Sequence, residues 1–338
     1  MKLAIVILNY NGKNHLESFL ESVIESAEGY NVIVADNAST DDSLGFLSKF
    51  KSVQIIKNKT NRGFAGGYNE ALEKLKGIYD YYILLNSDIQ VTKNWISPLI
   101  STMENSEVAA CQPKIKSLHN KSQFEHAGAA GGFLDKNYFP FCRGRIMNFV
   151  EQDNGQYDYS CDVTWASGAA MMINAELFHK AGGFDDDFFA HMEEIDLCIR
   201  LGHQGYKFKV VPESVVYHLG GGTLPYLSPK KIYLNFRNSL FLIFKNHKGW
   251  LLPMLLKRMV LDTIAAVKFL FEGRFRFSWS VFLAHLSFYK NLRSLGRKRA
   301  VLKKDTTPIL KYQGNILSNY FLEKRKKYSQ LNKRLFKS

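Results

Sequence analysis

Asn86-Ser87-Asp88, at the end of the apolar run Tyr81-Tyr82-Ile83-Leu84-Leu85, is the triplet in this chain best placed to do chemistry. A carboxylate carried by a buried strand to the open edge of a sheet can hold a divalent cation, and that cation can hold a diphosphate. The same residue types also close ordinary polar turns, so the triplet alone leaves both readings open. Farther on, Glu193, Glu194 and Asp196 gather where the apolar face Ile195, Leu197, Ile199, Leu201 begins. Carboxylates there serve either as partners of a helix dipole or as a general base at the mouth of a site. The run Val215-Val216-Tyr217-His218 ends on a histidine ahead of several glycines, where an imidazole is either a second metal ligand or a packing residue.

Three further segments are candidates. Asp36 follows Val32-Ile33-Val34-Ala35 and precedes small polar residues; its carboxylate could read the N–H of a pyrimidine base or a ribose hydroxyl, or close an Asx-turn. Asn61-Arg62-Gly63-Phe64-Ala65-Gly66-Gly67 contains glycines that let backbone approach a ligand, without a dinucleotide or P-loop fingerprint. Trp165, near Ser167-Gly168, could stack on a sugar or fill a core.

The elements that must position these groups follow from hydrophobic periodicity. Leu3 to Leu8 reads as a strand buried on both faces, ending at Asn9, and Leu16, Phe19, Leu20, Val23 and Ile24 mark an amphipathic helix over 15–27. Strands at 32–36, 53–56 and 81–85 alternate with helices expected at about 41–50 and 70–76. This alternation argues for an α/β fold with a mostly parallel sheet, helices on both faces and right-handed crossovers. Ligands bind such sheets beyond the carboxyl ends of the strands, so Asn9, Asp36 and Asp88 are expected to converge on one crevice. From about residue 108 the strands shorten, and 119–160 reads as a long polar and aromatic loop of the kind that forms lids or substrate walls.

The 338 residues imply a main domain with an appendage, and 46% apolar content implies a folded protein. Net charge is +14, but residues 226–338 carry 25 Lys and Arg against 4 Asp and Glu, leaving 20 against 27 in residues 1–225. The basicity thus belongs to one end, and the acidic first part would repel nucleic-acid phosphates. Four scattered cysteines without metal-finger spacing fit a reducing compartment, and the short apolar run at the start lacks a cleavage site; a cytoplasmic protein is expected. Leu251 to Phe271 is apolar but interrupted by Lys257, Arg258, Asp262 and Lys268, which makes it an amphipathic or packed helix instead of a span.

Taken in order, Val6-Ile7-Leu8-Asn9-Tyr10-Asn11, Val34-Ala35-Asp36-Asn37-Ala38-Ser39-Thr40-Asp41, Asn61 to Asn69, Leu85-Asn86-Ser87-Asp88, Ser167-Gly168-Ala169, Gly183-Phe184-Asp185, Glu193 to Leu197 and Tyr217-His218 resemble the family 2 inverting glycosyltransferases of GT-A fold, particularly their rhamnosyltransferase-like branch. The resemblance covers roughly 1–225, taken as the GT-A domain; the basic, aromatic-rich residues 226–338 read as a helical C-terminal region that either associates with an anionic membrane surface or is a solvated appendage. It implies a UDP- or dTDP-sugar donor, a glycan or lipid-linked acceptor, Mg²⁺ or Mn²⁺, and a place on the inner face of the cell membrane, with no nucleic-acid partner. It also implies roles: Glu194 as catalytic base; Asp88 and His218 as metal ligands; Asn9, Asp36, Asn61, Arg62, Gly63, Gly67 and Asn86 around the nucleotide-sugar; Trp165, Ser167, Gly168 and Glu193 around the acceptor. Two positions depart from the pattern: Asn86 stands at the first Asp of the DXD element, and Glu194 at the Asp of the Glu-Asp pair. A sugar nucleotidyltransferase shares such a first domain but carries a Gly-rich, basic loop after the first strand, where this chain has Asn9-Tyr10-Asn11-Gly12.

Overall fold

The computed structural model describes residues 1–220, 228–302 and 307–338. Gly221, Gly222 and Thr223 of the glycine run, the expected boundary at 225/226 and the pair Lys303-Lys304 lie outside the described residues.

The first half alternates as the periodicity predicts: β1 (Leu3–Asn9), α1 (Lys13–Glu25), β2 (Asn31–Asp36), α2 (Ser43–Leu47), β3 (Val53–Lys57), α3 (Gly63–Glu73), β4 (Tyr81–Asn86). Helix α3 starts at Gly63, seven residues before the expected Glu70, because Gly63-Phe64-Ala65-Gly66-Gly67 winds into its first turn. Side chains alternate along β1, so Ala4 and Val6 enter one core and Leu3, Ile5 and Ile7 the other. Both faces of the sheet are therefore covered, as continuous apolar strands require.

The remaining strands of the large sheet are β5 (Ile89–Val91), β6 (Val108–Ser117), β11 (Cys161–Val163), β12 (Ala170–Asn174) and β13 (Lys207–His218), once β7 to β10 are counted within the 119–160 segment. The order is β11-β13-β6-β12-β4-β1-β2-β3, with β5 on the edge of β13. β3, β2, β1 and β4 are mutually parallel, as are β6 and β13, while β12 runs antiparallel between β4 and β6. The chain leaves β1 on one side for β2 and β3 and on the other for β4, which makes the β1/β4 junction the switch point.

Residues 119–160 form not a bare loop but a small antiparallel sheet of β7 (Gly132–Leu134), β8 (Pro140–Cys142), β9 (Arg145–Ile146) and β10 (Phe149–Val150). Its aromatic residues are satisfied by partners far away in sequence. Phe133 lies 5.4 Å from the Tyr328 ring and 5.2 Å from Phe336, and Phe141 lies 5.9 Å from Tyr312.

Short α4 (Ser97–Met103) and α5 (Ala175–Lys180) are followed by α6 (Glu193–His203), α7 (Pro229–Asn246), α8 (Leu251–Phe271), α9 (Phe275–Leu302) and α10 (Ile316–Phe321). The consecutive residues Leu240 to Ile243 of α7 are all buried, so this helix is surrounded. One apolar cluster runs from Ala4 and Val6 through Phe241, Phe288 and Tyr312 to Tyr328, so the basic end shares the core of the sheet. No helix among the described residues is long and apolar enough to cross a membrane.

Candidate functional site

Backbone register builds the site. Asn9 pairs with Asp36 and Leu8 with Asn86, which brings the carboxyl ends of β1, β2 and β4 side by side. Beyond β4 the chain turns back as β5, whose Ile89 opposes His218 on β13, while the Leu219 N–H donates to the Asp88 carbonyl at 3.0 Å. This pairing sets the Asp88 carboxylate beside the imidazole, with His218 Nε2 3.2 Å from Asp88 Oδ1 and both side chains buried. His218 Nδ1 faces Glu125 Oε1 at 3.7 Å. Burial would push the His218 pKa down, but the bonds to Asp88 and Glu125 outweigh it and raise it to about 9. Asp88 is held below the ordinary carboxylate range: burial opposes this, and the His218 hydrogen bond and charge outweigh burial.

A divalent cation would fit this donor set by displacing the proton that His218 Nε2 shares with Asp88. One carboxylate and one imidazole face each other, and a second carboxylate stands behind the imidazole, as outer partners orient metal-binding histidines. No group of three or more His, Cys, Asp or Glu side chains that could hold a metal ion occurs among the described residues.

The pocket end of β1 and β2 is a polar network. Asn9 Nδ2 donates to Asp36 Oδ1 and to Ser39 Oγ, both at 3.2 Å, while the Ser39 N–H donates to Asp36 Oδ2 at 3.0 Å. Asp36 thus closes its own turn, one of the two readings its sequence context leaves open, while standing at the crevice end. Asn9 Oδ1 is buried with no partner. Asn61 Oδ1 accepts from Asn37 Nδ2 and from the Gly63 N–H, fixing the start of α3. A Cβ on Gly67 would stand 2.8 Å from Asn37 Nδ2, so this glycine allows α3 to pack on the β2 loop. Arg62 is ion-paired with Asp186, and Asn86 is half-buried with its N–H donated to the Ala169 carbonyl at 2.9 Å.

The carboxylates of α6 have contrasting surroundings. Asp196 sits among Lys245, Arg200 and Asn246, with Lys245 Nζ at 2.9 Å and Arg200 Nε at 2.8 Å. Burial alone would raise its pKa, yet these cations hold it at about 2. Glu193 and Glu194 have no such partner: Oε2 of each is buried without a hydrogen bond. Burial lifts Glu194 to about 7, and burial with the neighbouring Glu194 charge lifts Glu193 well above the usual carboxyl range. Glu194 borders Gly168, where an added Cβ would lie 3.6 Å from Glu194 Cβ and 3.1 Å from Phe64. Gly168 precedes Ala169, bonded to Asn86, so Glu194 is linked through two residues to the β4 end that carries Asp88.

These carboxylates are presented by a strained turn. Phe189 (φ 64°), His191 (φ 71°) and Met192 (φ 71°) all have left-handed backbone directly before α6. Such residues cost about 1–3 kcal/mol each and persist where neighbours over-determine them. The Phe189 carbonyl accepts from the Phe64 and Ala65 N–H groups at 2.7 and 3.2 Å. Gly63, itself at φ +72°, is required here, since a Cβ would fall 2.4 Å from that carbonyl. From the other side Asn238 Nδ2 lies 3.0, 2.8 and 2.7 Å from the carbonyls of Phe188, Ala190 and His191, and Arg237 Nη2 donates to those of Asp187 and Phe188. Asn238, Arg237, Lys245 and Glu125 were missed from sequence; the one available signal was an Asn buried among apolar residues of a helix.

Trp165 requires correction. Its indole is buried, Nε1 donates to the Phe133 carbonyl at 3.0 Å, and the ring fills the space over Gly132, so it is a core side chain and not a sugar platform. Ser167 is likewise buried, its N–H donating to Gln112 Oε1 and its hydroxyl to the Ala127 carbonyl.

Solved glycosyltransferases share this architecture. The chain is similar to Staphylococcus aureus TarS 1-349 in complex with UDP-GlcNAc (TM-score 0.56, 14% identity, 90% of this chain and 91% of that one). It is also similar to the mannosyltransferase PcManGT from Pyrobaculum calidifontis in complex with GDP-Man and Mn²⁺ (TM-score 0.51, 14% identity, 89% and 84%). The fold is thus that of a GT-A glycosyltransferase. The model of glycosyl transferase family 2 matches residues 4–178, and the chain belongs to that family. Among its relatives is the N-acetylglucosaminyl-diphospho-decaprenol L-rhamnosyltransferase of Mycobacterium tuberculosis, 24% identical over 264 residues, covering 73% of this chain and 86% of the relative.

Proposed function

We propose that this glycosyltransferase moves a sugar, with rhamnose the first candidate, from a UDP- or dTDP-activated donor to a hydroxyl of a growing cell-surface glycan or lipid-linked acceptor, inverting the anomeric centre, at the inner face of the cell membrane. The observation that carries this reading is the pairing of Asp88 with His218 at a sheet edge whose neighbouring segment holds Glu194 buried, with one carboxyl oxygen unbonded, and poised near neutrality. The rhamnosyl relative supports the sugar and the lipid-linked acceptor, and the solved neighbours support a nucleotide-sugar with a divalent ion.

Asp88 and His218 would hold the cation, Mg²⁺ or Mn²⁺. When bound, it neutralises charge growing on the departing nucleoside diphosphate. Asn9, Asp36 and Asn86 line the end of the sheet where the nucleoside and its phosphates lie, and Asn61, Gly63 and Gly67 shape the backbone beside them. Arg62 adds a positive charge at the entrance, shared with Asp186. Glu194 accepts the proton of the acceptor hydroxyl as its oxygen attacks the anomeric carbon opposite the leaving group. A carboxyl with pKa near 7 suits that task, because a large share is ionised at cytoplasmic pH while its basicity exceeds that of an ordinary carboxylate. Glu193 and Gly168 form the acceptor side, on a turn that Ser167 anchors from within through Gln112 and Ala127.

A screen of nucleotide-sugars for nucleoside diphosphate release, with and without Mn²⁺, tests the assignment. Asp88→Ala and Glu194→Gln are expected to lose about 10²–10⁴ in turnover while remaining folded. Near-normal turnover in either variant contradicts it.

A further inference from the structure

Of the 21 large apolar side chains exposed among the described residues, 15 lie between Trp250 and Val301. They are patterned. On α8 the exposed residues Leu252, Leu256, Val260, Ile264, Val267 and Phe271 recur every three or four positions, and on α9 Phe275, Trp279, Phe282 and Leu286 do the same. Each series is a stripe along one side of its helix.

The contacts between the helices fix where the stripes point. Asp262 Oδ2 meets His285 Nε2 at 3.3 Å and Met259 Sδ meets Tyr289 Oη at 3.4 Å, so these positions mark the facing sides. At about 100° per residue, each stripe lies roughly a quarter-turn from that facing side, in the same rotational sense on both helices. In an antiparallel hairpin, equal rotations of one sense bring both stripes to the same side. The opposite side is occupied: Arg258 pairs with Asp262 at 2.6 Å and stacks on Phe139, while Val281, Ala284 and Phe288 are buried. The hairpin therefore presents one continuous apolar face, about 31 Å long on the 21-residue α8.

We infer that this face is inserted into the headgroup and upper acyl region of an anionic bilayer, with α8 and α9 lying in the membrane plane. Charge favours a bilayer over a second copy of the chain. Residues 251–302 carry 10 Lys and Arg against 2 Asp and Glu, and one of the two acids, Asp262, is spent on Arg258 and His285. An isologous pairing of two such faces would bring like charges together, whereas anionic headgroups complement them. The exposed Lys290, Arg293 and Arg297 continue the α9 side where the apolar stripe ends, and Trp250 and Trp279 supply the amphipathic rings that favour the interface. The inference deepens the membrane reading above, replacing attraction to a basic tail by insertion of an apolar face, and rests on it only for the side of the membrane.

The chain carries its own probe. Of its four tryptophans, Trp95 and Trp165 are buried and Trp250 and Trp279 are exposed on this hairpin. Full-length protein mixed with phosphatidylglycerol-containing vesicles is expected to float with them, to shift tryptophan emission to the blue, and to be quenched by lipids brominated near the headgroup. Binding should persist in about 0.5 M salt, where surface charge attraction is screened. Leu256→Glu with Ile264→Glu, both at exposed positions, should weaken partitioning at least tenfold while nucleoside diphosphate release with a soluble acceptor stays at the wild-type rate. Lys290→Glu with Arg293→Glu should weaken binding at low salt and abolish the preference for anionic over neutral vesicles. The inference is overturned by unchanged partitioning of the Leu256/Ile264 variant, by complete release in salt without a blue shift, or by a concentration-dependent dimer in solution that the same substitutions dissociate. Vesicle binding with blue shift but no sugar transfer would support this inference and contradict the catalytic reading alone.

Discussion

Two carboxylates two positions apart on α6 show how environment assigns chemistry. Asp196 lies against Lys245 and Arg200 and stays ionised far below neutrality, while Glu194 lies against Gly168 and Phe64 and is lifted to about 7. Pairs of acids driven apart in this way mark division of labour. The pH dependence follows in sign. A base must be ionised to act, so kcat/KM is expected to rise with pH through an apparent pKa near 7 and to level above it. Glu194→Gln should abolish that limb along with most of the rate. Stability moves oppositely: a carboxyl raised above its unfolded pKa favours the folded state only below the unfolded value, and that advantage is lost as pH rises through the folded pKa. Glu194→Gln should therefore match the wild-type Tm at about pH 4 and exceed it at about pH 8. An equal Tm difference at both pH values would show that Glu194 is not the strained acid described.

At the scale of elements, the α6 acids depend on a strained turn held from two sides, by the first turn of α3 and by Asn238 and Arg237 of α7. Asn238→Ala leaves several buried carbonyls short of a donor, each costing about 1–3 kcal/mol. Turnover is expected to fall at least tenfold with little change in donor KM, read by steady-state kinetics beside a Tm. Lys245→Met should be more damaging to the fold, since it strips Asp185 and Asp196 of a buried cation; about 3–5 kcal/mol is expected from denaturant unfolding. The sequence made the alternating strands and helices legible because residues 1–86 satisfy their apolar faces locally in the chain, in periods of two and 3.6. It made α8 legible to the residue. The 119–160 sheet was not legible, since Phe133 and Phe141 find their partners in Tyr312, Tyr328 and Phe336, and Trp165 was misjudged because the glycine beneath its ring, Gly132, lies 33 positions earlier. The Asp88–His218 meeting was legible only through resemblance, for it is made by the short β5 pairing with the end of β13.

At the scale of the whole molecule, the basic end is two things. Helix α7 and residues 307–338 belong to the core: Thr164 Oγ1 donates to the Leu310 carbonyl at 2.7 Å, the Ile316 N–H to Asp135 Oδ2 at 3.0 Å and the Tyr328 N–H to Glu151 Oε1 at 3.0 Å. The outer face of α8 and α9 is left without a cover of its own. Truncation before Ile309 is therefore expected to lower Tm by more than 5 °C and to expose the aromatic cluster of the small sheet, seen as dye binding, while leaving the hairpin face present. An unchanged Tm would place the tail outside the fold.

The central claim is that Glu194, linked through Gly168 and Ala169 to the strand end that carries Asp88, drives a single inverting displacement. Its most direct measurement is the anomeric configuration of the product, determined by NMR on sugar transferred by wild-type protein, with Glu194→Gln run alongside. The account predicts a configuration opposite to that of the donor and, in the variant, turnover lower by about 10²–10⁴ with the same configuration in whatever product forms. A product that retains the donor's configuration, or a Glu194→Gln variant that transfers at the wild-type rate, would contradict it.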